Sequence, residues 1–217
     1  MKVIRILILF VVLLVWHDAA TATVTSTFDS SLEGWTLAGN PALSHQATGG
    51  NPGGFARYDD TPGVEGDGWI VAPSEYLGEW SWLDGVGWLA WDHKILDPGE
   101  GGDILDGQAK ISGPGGSAIY YSGSQFTEQW QSFSASIAES AWLVTDGSWG
   151  AVLANVTELQ IRIESVHNDG PTLDIDGIDN VALVPEPSSL ALLLIGAVAL
   201  RRRARDRSSR RSVVSVG

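Results

Sequence analysis

Between residues 23 and 184 no stretch carries ten or more residues of amphipathic helix pattern. Short apolar or aromatic runs recur instead, divided by Gly, Pro, Asn and Asp, residues whose backbone preferences set turns. Strands are expected over residues 24–28, 35–37, 54–58, 69–72, 86–95, 107–112, 118–121, 131–137, 159–164 and 172–183. Ile161 and Ile163 alternate with Arg162 and Glu164, and Leu89, Trp91 and His93 with Ala90, Asp92 and Lys94, the period of a half-buried strand. Residues 151–155 depart from this rhythm and are expected to form a helical turn. So many short strands predict an all-β chain, an antiparallel β-sandwich of the jelly-roll kind.

The two ends read differently. Lys2 and Arg5, an apolar core over 6–16 and the A-x-A-like Ala20-Thr21-Ala22 make residues 1–22 a secretory signal peptide, cleaved after Ala22. At the other end Pro185 and Pro187 fix φ and lack backbone donors, so β-structure should stop there. The apolar run 190–200 would cover roughly 16 Å as a helix, about half a hydrocarbon core. With the Ser188-Ser189 lead and snorkelling arginines it makes a marginal transmembrane helix, and the arginines favour the cytoplasmic side. The expected organisation is a signal peptide over 1–22, a domain over 23–184, a sorting and membrane segment over 185–203 and a basic cytoplasmic tail over 204–217.

Pro185-Glu186-Pro187, the apolar run and Arg201-Arg202-Arg203 together resemble the PEP-CTERM sorting signal of exported Gram-negative proteins. The resemblance implies recognition by an exosortase, removal of the helix, and residence at the cell envelope or in the extracellular matrix after transient anchoring in the inner membrane. Residues 206–217 continue past the usual arginine ending, and an ordinary C-terminal anchor is the alternative.

Removing both ends leaves four basic residues (Arg57, Lys94, Lys110, Arg162) against 23 acidic ones, a net charge of −19. Nucleic acid and anionic lipid are poor partners for such a surface. Divalent cations suit it, although solubility alone explains the charge. The chain has no cysteine, so the domain must be held by its core rather than by disulfides.

Several phrases in order carry a second resemblance: Phe28-Asp29-Ser-Ser-Leu-Glu-Gly-Trp35, Trp69-Ile-Val-Ala-Pro73, Trp130-Gln-Ser-Phe133, Leu153-Ala-Asn-Val-Thr157 and Asp176-Gly-Ile-Asp-Asn-Val-Ala-Leu183. They resemble a laminin B (domain IV) module. That family implies a β-sandwich related to carbohydrate-binding modules, with an architectural rather than catalytic role. Such sandwiches often carry a structural calcium between the first and last strands, which points to Asp29 and Asp179 as ligands.

Nine of the ten tryptophans lie in the domain. Trp35, Trp69, Trp91, Trp130 and Trp142 are expected to fill the core. Trp80 and Trp82 share strand parity beside a turn, and with Trp149 they are candidates for an exposed platform on which sugar rings stack. Asp174 and Asp176 alternate with Leu173 and Ile175, placing both acids on one strand face ~7 Å apart, in solvent, before a turn at Gly177. His93, beside Trp91 in parity, reads as a satisfied core residue; His45 and His167 show no metal-ligand spacing. No G-x-S-x-G, H-E-x-x-H or phosphate-binding glycine pattern is present. The expected function is therefore an exported, non-catalytic module binding glycan in an exopolysaccharide or biofilm setting. A carboxylate-based polysaccharide hydrolase is the alternative; it needs two carboxylates facing each other across a cleft, a pairing the sequence does not show.

Overall fold

The computed structural model describes residues 23–38, 43–60, 68–99, 102–167 and 174–185. They form two six-stranded antiparallel sheets face to face, as expected of a β-sandwich. The expected signal helix, transmembrane helix and basic tail lie outside the described residues. By internal contacts the chain divides after Pro185, and the described residues all belong to the first unit.

In chain order the strands are β1 (Val24–Ser26), β2 (Thr36–Leu37), β3 (Leu43–Gly50), β4 (Gly53–Asp59), β5 (Trp69–Val71), β6 (Gly87–Asp97), β7 (Asp103–Ile104), β8 (Asp106–Gly113), β9 (Gly116–Gln125), β10 (Gln131–Ser136), β11 (Trp142–Gly147), β12 (Glu158–Arg162), β13 (Val166–His167) and β14 (Ile175–Pro185). The first sheet runs β10-β6-β14-β4-β3, with β1 also pairing β14; the second runs β11-β9-β8-β12-β5-β2. β7 and β13 make a small separate ladder. Among the described residues one α-helix, α1 (Trp149–Ala154), covers most of the turn expected at 151–155.

Period-two alternation builds the core. Leu89, Trp91, His93 and Ile95 of β6 face Ala109 and Ile111 of β8, Leu159 and Ile161 of β12, and Ile70 of β5 across the space between the sheets, all of them buried. Trp35, Trp80 and Trp91 are among the largest fully buried side chains. Tyr76 ties the layers: its hydroxyl donates to Val181 O (2.9 Å) and accepts from the Ser26 hydroxyl (3.0 Å). Burying such aromatics on a shared core supplies the stabilisation that disulfides would give a smaller exported domain.

Three expectations about strands are corrected. β3 and β11 were not anticipated, because Ser-His-Gln and Thr-Asp-Gly read as loop residues; ladder pairing with β4 and β9 holds them extended. Gly177 is not a turn. It lies inside β14, where a Cβ would come within 3.0 Å of the Phe55 ring and 3.2 Å of Trp130. Glycine is needed for that close approach, and β14 runs on unbroken to Pro185.

Candidate functional site

The tryptophan expectations divide. Trp80 is 2% exposed and donates its indole N–H to Tyr76 O at 2.9 Å, so it belongs to the core and not to a platform. A 3-10 turn over Ser81–Leu83 stands where strand parity was read for Trp80 and Trp82, so the two do not share a face. Trp149, at the start of α1, is 4% exposed and donates to Asp84 Oδ1 at 2.9 Å; it too is core. Trp82 is exposed at 38%, its N–H held by Glu79 O, and Trp88 at the start of β6 is similarly open. Trp130 is half-buried, and packs on Phe55 over Gly177, on the outer face of the first sheet rather than inside it.

Trp69 is buried, but not between the sheets. On β5 it is Ile70 that enters the core, and Trp69 therefore faces outward on the second sheet. It is covered there by Lys110 Nζ, 3.7 Å from its ring centroid, and by the Arg162 guanidinium at 4.8 Å. Strand register explains the meeting: Arg162 lies directly across from Trp69, and Lys110 across from Gln160.

The same alternation puts Tyr121, Ile119 and Ser117 of β9, Lys110 and Ser112 of β8, and Glu158 and Gln160 of β12 on one outward face. These side chains, with Thr145 of β11, line a shallow cavity of about 220 Å³. Tyr121 is half exposed at its rim. Glu158 accepts from Gln160 Nε2 (2.6 Å) and Ser112 Oγ (3.3 Å), and the Ser117 and Thr145 hydroxyls bond at 2.8 Å. An aromatic ring, hydroxyls, an amide and a cation over an indole can together hold a polar ring by hydrogen bonds and stacking. Sequence reasoning missed this face, because its residues come from four strands whose order the sequence does not state.

The solved structures that resemble the chain include the family 11 carbohydrate-binding module of a cellulosomal cellulase from Clostridium thermocellum, at 15% identity and TM-score 0.50 over 77% of this chain and 96% of that one. They also include an exo-beta-agarase, at 14% identity and TM-score 0.52; the alignment covers 74% of this chain but a quarter (25%) of that one. The L4b domain of human laminin alpha-2 is similar at 10% identity and TM-score 0.43, over 54% of this chain and 69% of that one. The fold is shared with carbohydrate-binding modules. No curated protein sequence matches the chain. Residues 183–205 match the PEP-CTERM protein-sorting motif.

That motif begins within the sheet of this module-like sandwich: Val184 pairs with Trp88 and Pro185 with Gly87 at the end of β14. Glu186, Pro187 and Arg201, Arg202 and Arg203 lie outside the described residues, as do Ala20 and Ala22 of the expected signal cleavage site.

The acids gather in two places. Asp29 and Asp179 both reach the hairpin between β3 and β4. Asp179 accepts from Asn51 N (2.6 Å) and Asn180 N (2.7 Å), and Asp29 from Gly54 N (3.2 Å) and Thr27 Oγ1 (3.0 Å). Asp92 joins them, bonded by Asn51 Nδ2, Asn180 Nδ2 and Ser132 Oγ. Burial pushes the Asp179 carboxyl up to about 6 against the pull of the two amides, and the Asp92 and Asp29 charges add to the rise. Among the described residues no group of three or more His, Asp or Glu is arranged to hold a metal.

Asp174 and Asp176 are not in solvent. Both are fully buried, because Asp176 pairs across from Ile95 and faces inward. Ser165 N donates to both, and Val166 N to Asp174 at 3.0 Å. Burial raises both carboxyls, Asp176 well above the usual range, and the neighbouring Asp174 charge adds to its rise. His93 is a core residue as expected: Nε2 donates to Ile163 O at 2.8 Å, its ring stacks on Phe126, and burial lowers its pKa to about 4.

Proposed function

We propose that the chain is an exported glycan-binding module, sorted at the cell envelope through its C-terminal motif, and that it binds glycan on the outward face of the second sheet. The cavity lined by Lys110, Tyr121, Gln160 and Glu158 carries this reading, because it joins an open aromatic ring to hydroxyl, amide and charged groups on a rigid sheet. The fold shared with a carbohydrate-binding module and the sorting motif at 183–205 fit it. Hydrolysis at this face is the weaker reading. Glycosidases use two carboxylates, and the cavity lining contains one, Glu158, already engaged by Ser112 and Gln160. Exosortase processing, placement in the exopolysaccharide matrix of a Gram-negative cell and membrane anchoring through residues 190–200 before processing belong to the same proposal. So does Trp82 as an accessory stacking residue, since its ring is open to solvent.

A structural calcium held by Asp29 and Asp179 is proposed as well. Asp29 and Asp179 both accept from backbone amides of the hairpin between β3 and β4, and the Asp29 charge adds to the rise in the Asp179 pKa. A hard cation would relieve that repulsion; it takes several oxygen ligands, so backbone carbonyls or water must complete the set.

The purified full-length chain on a glycan array tests the binding proposal. Tyr121→Ala should weaken the bound signal by about tenfold, close to 1.4 kcal/mol, while leaving the melting temperature unchanged because the ring is half exposed. An array silent for the unaltered chain would overturn it. Reducing-sugar release that disappears in Glu158→Gln would favour the hydrolase.

A further inference from the structure

We propose that the end of the sandwich bearing Trp82, Val86 and Trp88 docks on a lipid surface, in the headgroup layer of the bilayer that receives the apolar run 190–200. The inference rests on the proposed anchoring through that run before processing, and adds to it the face that meets the membrane. Six large hydrophobic side chains are exposed among the described residues. Three of them stand within seven consecutive positions: Trp82 at 38%, Val86 at 47% and Trp88 at 36%. Clustered exposure of this kind marks an interaction surface, whereas single exposed apolar residues do not.

Two turns and a strand end hold the segment. Val86 N donates to Leu83 O at 2.9 Å, directly after the 3-10 turn over Ser81–Leu83, and Gly85 N donates to Ile137 O at 2.7 Å. β6 then begins at Gly87. Leu89 and Leu183 are cross-strand partners and both belong to the core. Their neighbours Trp88 and Val184, also partners, therefore project outward from the first sheet, an aliphatic side chain beside an open indole.

The chain leaves the sheet at this same end, where Pro185 pairs with Gly87. Five residues separate Pro185 from Leu190, a span of at most about 18 Å however the chain runs. A bilayer that holds residues 190–200 thus keeps the Trp88 end close to its headgroups. Such a short tether gives a second contact an effective concentration on the order of millimolar, so a small patch suffices. Tryptophan is enriched at membrane–water interfaces, where its amphipathic ring sits at headgroup level. The Trp82 N–H is already held by Glu79 O at 2.8 Å, so this ring enters without baring a donor. Residues 74–90 include Glu75, Glu79 and Asp84 and no Lys or Arg. The contact is therefore apolar, and anionic headgroups oppose it.

The chain has no cysteine, so one introduced thiol takes a single fluorophore. Full-length Val86→Cys, labelled and reconstituted in phosphatidylcholine vesicles, is compared with Ile104→Cys. Ile104 is similarly exposed (41%) but lies toward the far end of β6, where Ile95 bonds to Thr127 and Phe126 to Leu105. Phosphatidylcholine carrying a headgroup nitroxide should quench the Val86 label at least threefold more than the Ile104 label. Trp82→Ala with Trp88→Ala should remove that difference while the chain still floats with the vesicles, and adding phosphatidylglycerol should reduce it. Equal quenching of the two labels in a chain that floats overturns the docking and leaves the anchor standing. So does a difference that persists in the folded double variant, or one that grows with phosphatidylglycerol. A chain that does not float with the vesicles removes both.

Discussion

Trp80 and Trp82 are two positions apart, yet the 3-10 turn between them sends one indole into the core and leaves the other in solvent. Trp80→Ala should therefore cost about 3–5 kcal/mol in denaturant unfolding, the range for deleting a buried aromatic. Trp82→Ala should stay within about 1 kcal/mol, since little area is lost from water. Protonation sorts residues in the same manner. Asp179 titrates near 6 in the folded protein, above the ordinary value of 3.8. A carboxyl raised on folding binds its proton more tightly in the native state, so its contribution is full below the unfolded pKa and is lost as pH climbs through about 6. Asp179→Asn should flatten that loss, seen as a smaller fall in unfolding free energy between pH 4 and pH 7. His93 works in the opposite sense: buried neutral, it destabilises the fold as pH drops from 6.5 toward 4.

Among the elements, β14 is the organiser, pairing β1, β4 and β6 in one strand. Its centre is packed from outside by Phe55 and Trp130, which meet edge to face over Gly177. Gly177→Ala should cost about 1–3 kcal/mol by urea denaturation, because the rings must give way to the added methyl group. An unaltered urea midpoint would mean the aromatic lid is loose. The legible strands were those with clean alternation, β6 and β12 above all. β3 and β11 were hidden because their polar residues earn an extended conformation only from the neighbouring ladder, which is a tertiary fact. Asp174 and Asp176 were assigned the right shared face and the wrong surroundings. Period two specifies that two residues share a face, but not which face is buried.

For the whole molecule, calcium and sorting give the measurable consequences. A cation bound only by the folded state should raise the melting temperature as free calcium exceeds its dissociation constant. Asp29→Asn and Asp179→Asn should each blunt the response, and magnesium or matched sodium chloride should not reproduce it. Identical melting curves in chelator and in millimolar calcium would remove the proposed site. Processing is read by intact mass of the protein from its native envelope, which should lack residues 190–217. Because β14 holds Val184 and Pro185 in its ladder with β6, a mass that ends within residues 186–189 is the expected result.

The sandwich, its two sheets of alternating strands and the sorting motif at 183–205 were all determined by local pattern: period two, turn residues, and an ordered Pro-Glu-Pro, apolar and arginine series. The binding face was decided only in three dimensions. Trp69, Lys110, Tyr121 and Gln160 lie on four strands, and their meeting depends on the order β9-β8-β12-β5, which follows from how the sheets close over the core. Burial was decided there too. An indole or a carboxylate carries no mark of its own depth, and the packing of the neighbours that cover it sets both its stability and its charge.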